Sequence, residues 1–241
     1  MQRNNRVTLV TGGSGRIGSA IVQTLCTQGH TVLLHYNTSE AAAQNLYEQW
    51  PNQIVLLHCD LLNEVQLSKM IGTIKQRFTS LTGLVNNAGI FIRNTVKDWD
   101  PNLAKQHWTL NCHVPQALSI ALWPLLSANQ GAIVNVVDQA SHHRPWPHYA
   151  DYAASKAALV ALTRSLSVEL APSVRVNAVG LGLISEDGEL NAVEEKIHQK
   201  IPMRRSGSPS EIAETVQFLL EGPQYITGQV VCVDGGWSVA P

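Results

Sequence analysis

Cysteine is scarce and scattered. Only four occur in 241 residues, Cys26, Cys59, Cys112 and Cys232, and none forms a C-x-x-C pair. That spacing excludes a zinc ribbon or a dithiol redox motif and predicts reduced core thiols in the cytoplasm. Charge is sparse, at 15%, and has no sign bias: 17 basic against 18 acidic side chains leave a net charge of −1. A surface built to neutralise nucleic-acid phosphates is therefore not expected. No apolar run approaches the ~20 residues that a membrane span requires. Met1 to Arg6 lead into an apolar strand with neither a hydrophobic leader nor a cleavage site, so export is not expected either. Repeats, low-complexity tracts and linkers are missing as well. His142, His143 and His148 have no carboxylate or cysteine at ligand spacing, and no metal is expected. What is left is a 44% hydrophobic chain, long enough to bury roughly 70 to 75% of its unfolded surface in one domain. Small-molecule chemistry is the class these absences leave.

Short apolar, β-branched runs alternate with helical stretches. Strands are predicted at Val7 to Val10, Thr31 to His35, Ile54 to His58, Leu84 to Val85, Ala132 to Val137, Arg175 to Val179 and Gln229 to Val233. Helices are predicted to begin near Arg16, Ser39, Asn63, Pro101, Asp151, Asn191 and Ser208, the last opening on a capping box, Ser208-Pro209-Ser210-Glu211. The pattern predicts an α/β fold, a doubly wound parallel sheet of about seven strands with helices on both faces. The longest irregular stretches, Gln139 to His148 and Leu181 to Leu190, follow strands at their carboxyl ends, where such sheets place ligands. They are candidate pocket walls.

The first strand runs into Thr11-Gly12-Gly13-Ser14-Gly15-Arg16-Ile17-Gly18 and then a helix. Glycines allow a tight turn and close backbone approach, and the helix N-terminus offers unpaired N–H groups to a pyrophosphate. The second strand ends in His35-Tyr36-Asn37-Thr38-Ser39, with no acid before Glu40. A ribose 2′-hydroxyl would usually meet a carboxylate there. Asn37, Thr38, Ser39 and Arg16 instead suit a 2′-phosphate, so NADPH is favoured over NADH, although the same polar residues would also cap the next helix. Asp60, after the third strand, can accept from an adenine amino group or serve as a cap.

Tyr152 and Lys156 lie four apart, on one helix face. An ammonium beside a phenol stabilises the phenolate and lowers its pKa from about 10. Together with the glycine turn and Asn111, this pair resembles the short-chain dehydrogenase/reductase family over essentially the whole length. Also matching are Asn86-Asn87-Ala88-Gly89, Arg175-Val176-Asn177 and Asp234-Gly235-Gly236. The resemblance implies a single Rossmann-type domain, residues 1–241, with hydride transfer from a nicotinamide and Tyr152 as proton donor. Lys156 would bind the nicotinamide ribose and depress the tyrosine, and Asn111 would hold a relay water. Gly12, Ser14, Gly15, Ile17 and Gly18 would cradle the cofactor, with Leu61, Asn87, Ala88, Gly89, Gly182 and Ile184 along its length. Dimers or tetramers would form through Pro101 to Ser127 and Asp151 to Ala171.

Where most of the family carries a serine that stabilises the reacting oxygen, this chain has Asp138. A carboxylate aimed at a developing alkoxide is repulsive, whereas proton delivery to the nitrogen of a C=N bond suits it. The pteridine reductases of the family have an aspartate there, and Phe91, Arg16 and His35-Tyr36-x-x-Ser39 match their pterin-stacking and cofactor residues. The resemblance thus implies NADPH-dependent reduction of a dihydropterin, bound by Arg16, Phe91, Asp138 and Tyr152. The alternative is a carbonyl reductase acting on 3-oxoacyl thioesters, sugars or quinones, and a third reading is NADPH binding without turnover. Three positions depart from the pteridine reductases: Thr38 replaces an arginine, the Asp138 to Tyr152 interval is one residue longer, and Leu181-Gly182 replaces Pro-Gly. Phe91 also reads as a lid residue, Tyr149 as a pocket or helix-start residue, and Trp146 and Trp237 as candidate pocket aromatics.

Overall fold

The computed structural model describes residues 6–139, 147–185 and 192–240, excluding the side chains of 192–194. Seven parallel strands are joined by helices: β1 (Val7–Val10), β2 (Thr31–Tyr36), β3 (Ile54–His58), β4 (Gly83–Asn86), β5 (Ala132–Asp138), β6 (Arg175–Leu181) and β7 (Val230–Val233). Their order across the sheet is β3-β2-β1-β4-β5-β6-β7. The chain reverses its direction of travel between β1 and β4, so loops diverge there and leave a crevice at the strands' carboxyl ends. Largely apolar runs such as Val7–Val10, buried at every position, form strands because both faces are covered.

One face is covered by α1 (Arg16–Thr27), α2 (Glu40–Gln49) and α8 (Pro209–Glu221), through Ile21, Val22 and Leu25, Ala43 and Leu46, and Ile212, Val216 and Leu219. The other packs α3 (Glu64–Arg77), α5 (Val114–Ser127) and α6 (Ala150–Glu169), through Leu67, Met70 and Ile74, Leu118, Leu122 and Leu126, and Leu166. The short helix α7 (Ala192–His198) precedes α8. The predicted capping box is present at Ser208 and Glu211. For α3 the cap is Asn63, whose side chain accepts from the Val65 and Gln66 N–H groups, and not Asp60. Among the described residues no helix is long and apolar enough to cross a membrane.

The stretch expected as one helix from Pro101 to Ser127 is instead α4 (Pro101–Trp108), a π-helical turn (Thr109–His113) and α5. Pro115 has no N–H for the carbonyl of Asn111, so the i→i−4 ladder cannot run through this point. Two family-matching residues turn out to hold elements together. Arg175 donates to the Leu219 and Leu220 carbonyls at 2.8 Å each, capping α8. Asn177 ties β6 to the segment before β7 through the Ile226 carbonyl and the Gln229 N–H.

His30, His35 and His107 are buried, and burial pulls all three below the ordinary 6.5, against the opposing pull of Glu221 on His30. The folded chain therefore keeps them neutral while the unfolded chain takes up protons below about pH 6.5. Stability is full above that value and falls with pH, by up to about 1.4 kcal/mol per pH unit for each ring that stays neutral. Thermal melts between pH 7.5 and 5.5 should show a falling midpoint; a flat profile would contradict this account.

Candidate active site

Gly12 sits at φ +62°, a conformation that suits glycine, and a Cβ there would meet the Ala88 backbone. A Cβ on Gly18 would collide with the Gly12 carbonyl oxygen. Asn87 steadies the turn by donating its amide to the Thr11 and Gly12 carbonyls. Thr11 Oγ1 accepts from the N–H groups of Asn87 and Ala88, both at 3.0 Å, welding the β1 and β4 ends together. Helix α1 opens on Gly15, which has no side chain to cap the first-turn N–H groups, so these donors face the crevice.

This turn forms one end of a cavity of about 630 Å³. Of the sequence-predicted residues, Gly12, Ser14, Gly15, Arg16, Ile17 and Gly18 line it, as do His35 to Ser39, Asp60, Leu61 and Asn87 to Gly89. Phe91, Tyr152 and Lys156 line the other end. Arg16, Asn37, Thr38 and Ser39 are exposed at its mouth. Ser39 does not use its side chain to cap α2, leaving it available to a ligand. Asp60 is partly committed, accepting from the Leu62 N–H at 3.0 Å.

Gly182 and Ile184 lie outside this lining, contrary to expectation. The Gly182 N–H is taken by the Val233 carbonyl, and Ile184 is buried in the core and bridged to Gly207. Leu181 stands in the lining instead, with Leu62, Ile90, Leu110, Val136 and Val137. These are ordinary apolar residues with no pattern to mark them in the sequence. Of the expected pocket walls, residues 140–146, with His142, His143 and Trp146, and residues 186–190 fall outside the described residues. Trp237 is buried against Ile197 and Ile201, away from the lining.

The chemical end is built on β5 and the first turns of α6. Tyr152 donates its hydroxyl to Asp138 Oδ2 at 3.0 Å. Asp138 thus faces the phenol, although it is not itself among the lining residues. Lys156 is buried and donates to the Val136 carbonyl at 2.8 Å. Burial holds its pKa down to about 8. The expectation of a depressed tyrosine is corrected here: burial first, then the charge and hydrogen bond of Asp138, push Tyr152 well above the ordinary phenol value.

Asn111 is fully buried in the π-turn. It accepts from the Ile90 N–H at 2.9 Å and donates to the Ile90 carbonyl and to Ser155 Oγ. It pins the loop that carries Phe91. His107 helps, accepting from the Ile92 N–H at 3.3 Å, a role the sequence did not single out. Phe91 stacks on Tyr149, centroids 4.2 Å apart and planes within 5°, and meets Tyr152 edge-on at 4.6 Å. One face of the expected aromatic platform is thus covered by Tyr149.

Comparison with known proteins agrees with this geometry. A family model described as enoyl-(acyl carrier protein) reductase matches residues 13–238. The chain is 36% identical to carbonyl reductase family member 4 of Danio rerio over 243 residues, covering 96% of this chain and 98% of the relative. It is 34% identical to the 3-oxoacyl-(acyl-carrier-protein) reductase FabG of Aquifex aeolicus, covering 96% of each. A solved structure, the blue fluorescent protein from a metagenomic library in complex with NADPH, superposes with a TM-score of 0.89 at 26% identity, covering 98% of this chain and 99% of that one.

Proposed function

The chain belongs to the short-chain dehydrogenase/reductase family, and we propose that it is an NADPH-dependent carbonyl reductase acting on 3-oxoacyl thioesters or related ketones. The observation that carries this reading is the placement of the Tyr152 hydroxyl and the buried Lys156 ammonium in the cavity that also holds the glycine turn. Relatives named as carbonyl and 3-oxoacyl reductases, similar over nearly the whole chain, support the substrate class. Bound NADPH supplies the hydride; the chain supplies the rest. Gly12 to Gly18 and the open first turn of α1 would take the pyrophosphate, and Arg16, Asn37, Thr38 and Ser39 the 2′-phosphate. Lys156 would hold the nicotinamide ribose, and Tyr152 would pass its proton to the substrate oxygen.

A second reading is favoured by the hydrogen bond from Tyr152 to Asp138. A carboxylate in that position suits a substrate that takes its proton on nitrogen, so a dihydropterin reduced at C=N remains a proposal beside the first. The Phe91–Tyr149 stack limits it, because a pterin taking the face of Phe91 that Tyr149 covers would have to displace Tyr149. NADPH oxidation measured against a 3-oxoacyl thioester, a quinone and a 7,8-dihydropterin decides between them. Turnover of the thioester or quinone alone is expected; turnover confined to the dihydropterin would reverse the order, and turnover of none would leave only cofactor binding.

Cofactor choice has its own test. In Asn37→Asp, a carboxylate faces the 2′-phosphate, and loss of a charge-assisted contact worth about 1.5–3 kcal/mol should lower kcat/KM for NADPH by about tenfold or more while sparing NADH. Equal losses with both cofactors would contradict the assignment. We also propose homotetramers or dimers formed through α4–α5 and α6, supported by exposed Trp108, Ile120, Trp123 and Val168. A monomeric mass in solution would refute this.

A further inference from the structure

His35 was expected to touch the cofactor and lines the cavity, yet the residue is only 2% exposed and both ring nitrogens are used inside the protein. The Gly12 N–H donates to Nδ1 at 3.0 Å, and Nε2 lies 2.9 Å from the Cys59 carbonyl, which can only accept. The two partners fix one state: a neutral imidazole with its proton on Nε2. The His35 backbone carbonyl also accepts from the Gly13 N–H at 2.8 Å. Residue 35 therefore grips two successive residues of the glycine turn, one by its ring and one by its main chain, and anchors them to the end of β3.

We propose that His35 is a positioning residue for the dinucleotide turn: its neutral ring holds Gly12 in the conformation that accepts the pyrophosphate, and protonating the ring releases it. With a proton on Nδ1 the ring would present N–H to N–H at 3.0 Å, and the turn or the ring must move. The glycine turn has no side chains with which to compensate. Burial is the chief obstacle to protonation of the ring and His58 on β3 adds to it, while the hydrogen bond to the Cys59 carbonyl and Asp60, just beyond β3, favour it; Arg16 at the start of α1 lines the same cavity. Release therefore belongs to acid conditions. The consequence lies in cofactor affinity and not in the chemical step, because Tyr152 and Lys156 are at the other end of the cavity.

The inference rests on the dinucleotide reading of the cavity, and fluorescence titration of NADPH from pH 8 to 5 separates the two. In His35→Asn the amide oxygen replaces Nδ1 as acceptor but does not titrate; in His35→Leu no acceptor remains. The 2′-phosphate of NADPH titrates in the same range and is common to all three proteins, so the comparison between them isolates the ring. His35→Asn should bind NADPH about as wild type does at pH 7.5 and lose less affinity on acidification. His35→Leu should bind about tenfold more weakly at pH 7.5 with kcat at saturating NADPH unchanged. Parallel pH profiles for wild type and His35→Asn overturn the proposal, even where His35→Leu fails to fold. A wild type that binds no dinucleotide overturns the reading of the cavity, and with it the inference.

Discussion

Tyr152→Phe should lower kcat on the preferred substrate by about 10²- to 10⁴-fold, the range by which a positioned proton donor speeds a reaction. NADPH affinity should stay near wild type. The substitution removes one oxygen and keeps the ring, which is packed against Phe91 at 4.6 Å and His107 at 6.3 Å, so the cavity wall survives. Its pH companion follows from Lys156. Below about pH 8 the buried amine carries a proton; above that value the ammonium is lost, and with it the charge that stabilises a phenolate once Tyr152 has given up its proton. Wild-type kcat should therefore decline as pH rises through about 8. Steady-state kinetics with parallel NADPH titrations check both statements. A Phe variant within tenfold of wild type would remove Tyr152 from the chemistry.

The fold was legible because its signals are redundant. The strands from Val7–Val10 onward are short and dominated by apolar, β-branched residues, and the Gly12 to Gly18 turn sits between a strand and a helix, so a parallel sheet with a crevice at the strands' carboxyl ends follows from the connection rules. The near end of the site was legible for the same reason: the turn, residues 35–39 and Asp60 depend on local sequence next to strand ends. What escaped prediction depends on contacts distant in the chain. The break at Thr109–His113 places Asn111 against Ile90 and Ser155, and only the proline at 115 hinted at it. The grip of His35 on Gly12 spans 23 residues. The stack of Tyr149 on Phe91 joins two loops 58 positions apart, and nothing in either loop announces the other. The tyrosine pKa went the other way from the spacing argument because Tyr-x-x-x-Lys says nothing of the burial of the phenol, nor of the carboxylate that β5 delivers to the same hydroxyl.

That carboxylate is where the substrate question is decided. Asp138→Ser should raise kcat/KM on a 3-oxoacyl thioester by about tenfold or more, since a single donor at a developing oxyanion is worth about 10²–10³ in rate and here replaces a repulsive group. The hydroxyl of a serine can donate to the substrate oxygen, and relief of the negative charge should bring Tyr152 back down toward its ordinary range, making its proton easier to give. Both effects act in the same direction on a ketone. On a C=N substrate they oppose: the phenol is a better acid, but the carboxyl that would relay a proton to nitrogen is gone, so any dihydropterin turnover should collapse. Measuring both substrates with both proteins gives four rates, and the sign of the change on each assigns Asp138. A rise on the ketone with no dihydropterin activity in either protein makes Asp138 a brake on carbonyl reduction. A loss on both substrates would mean instead that Asp138, by accepting from the Tyr152 hydroxyl at 3.0 Å, orients that hydroxyl for every substrate and is not merely tolerated beside it.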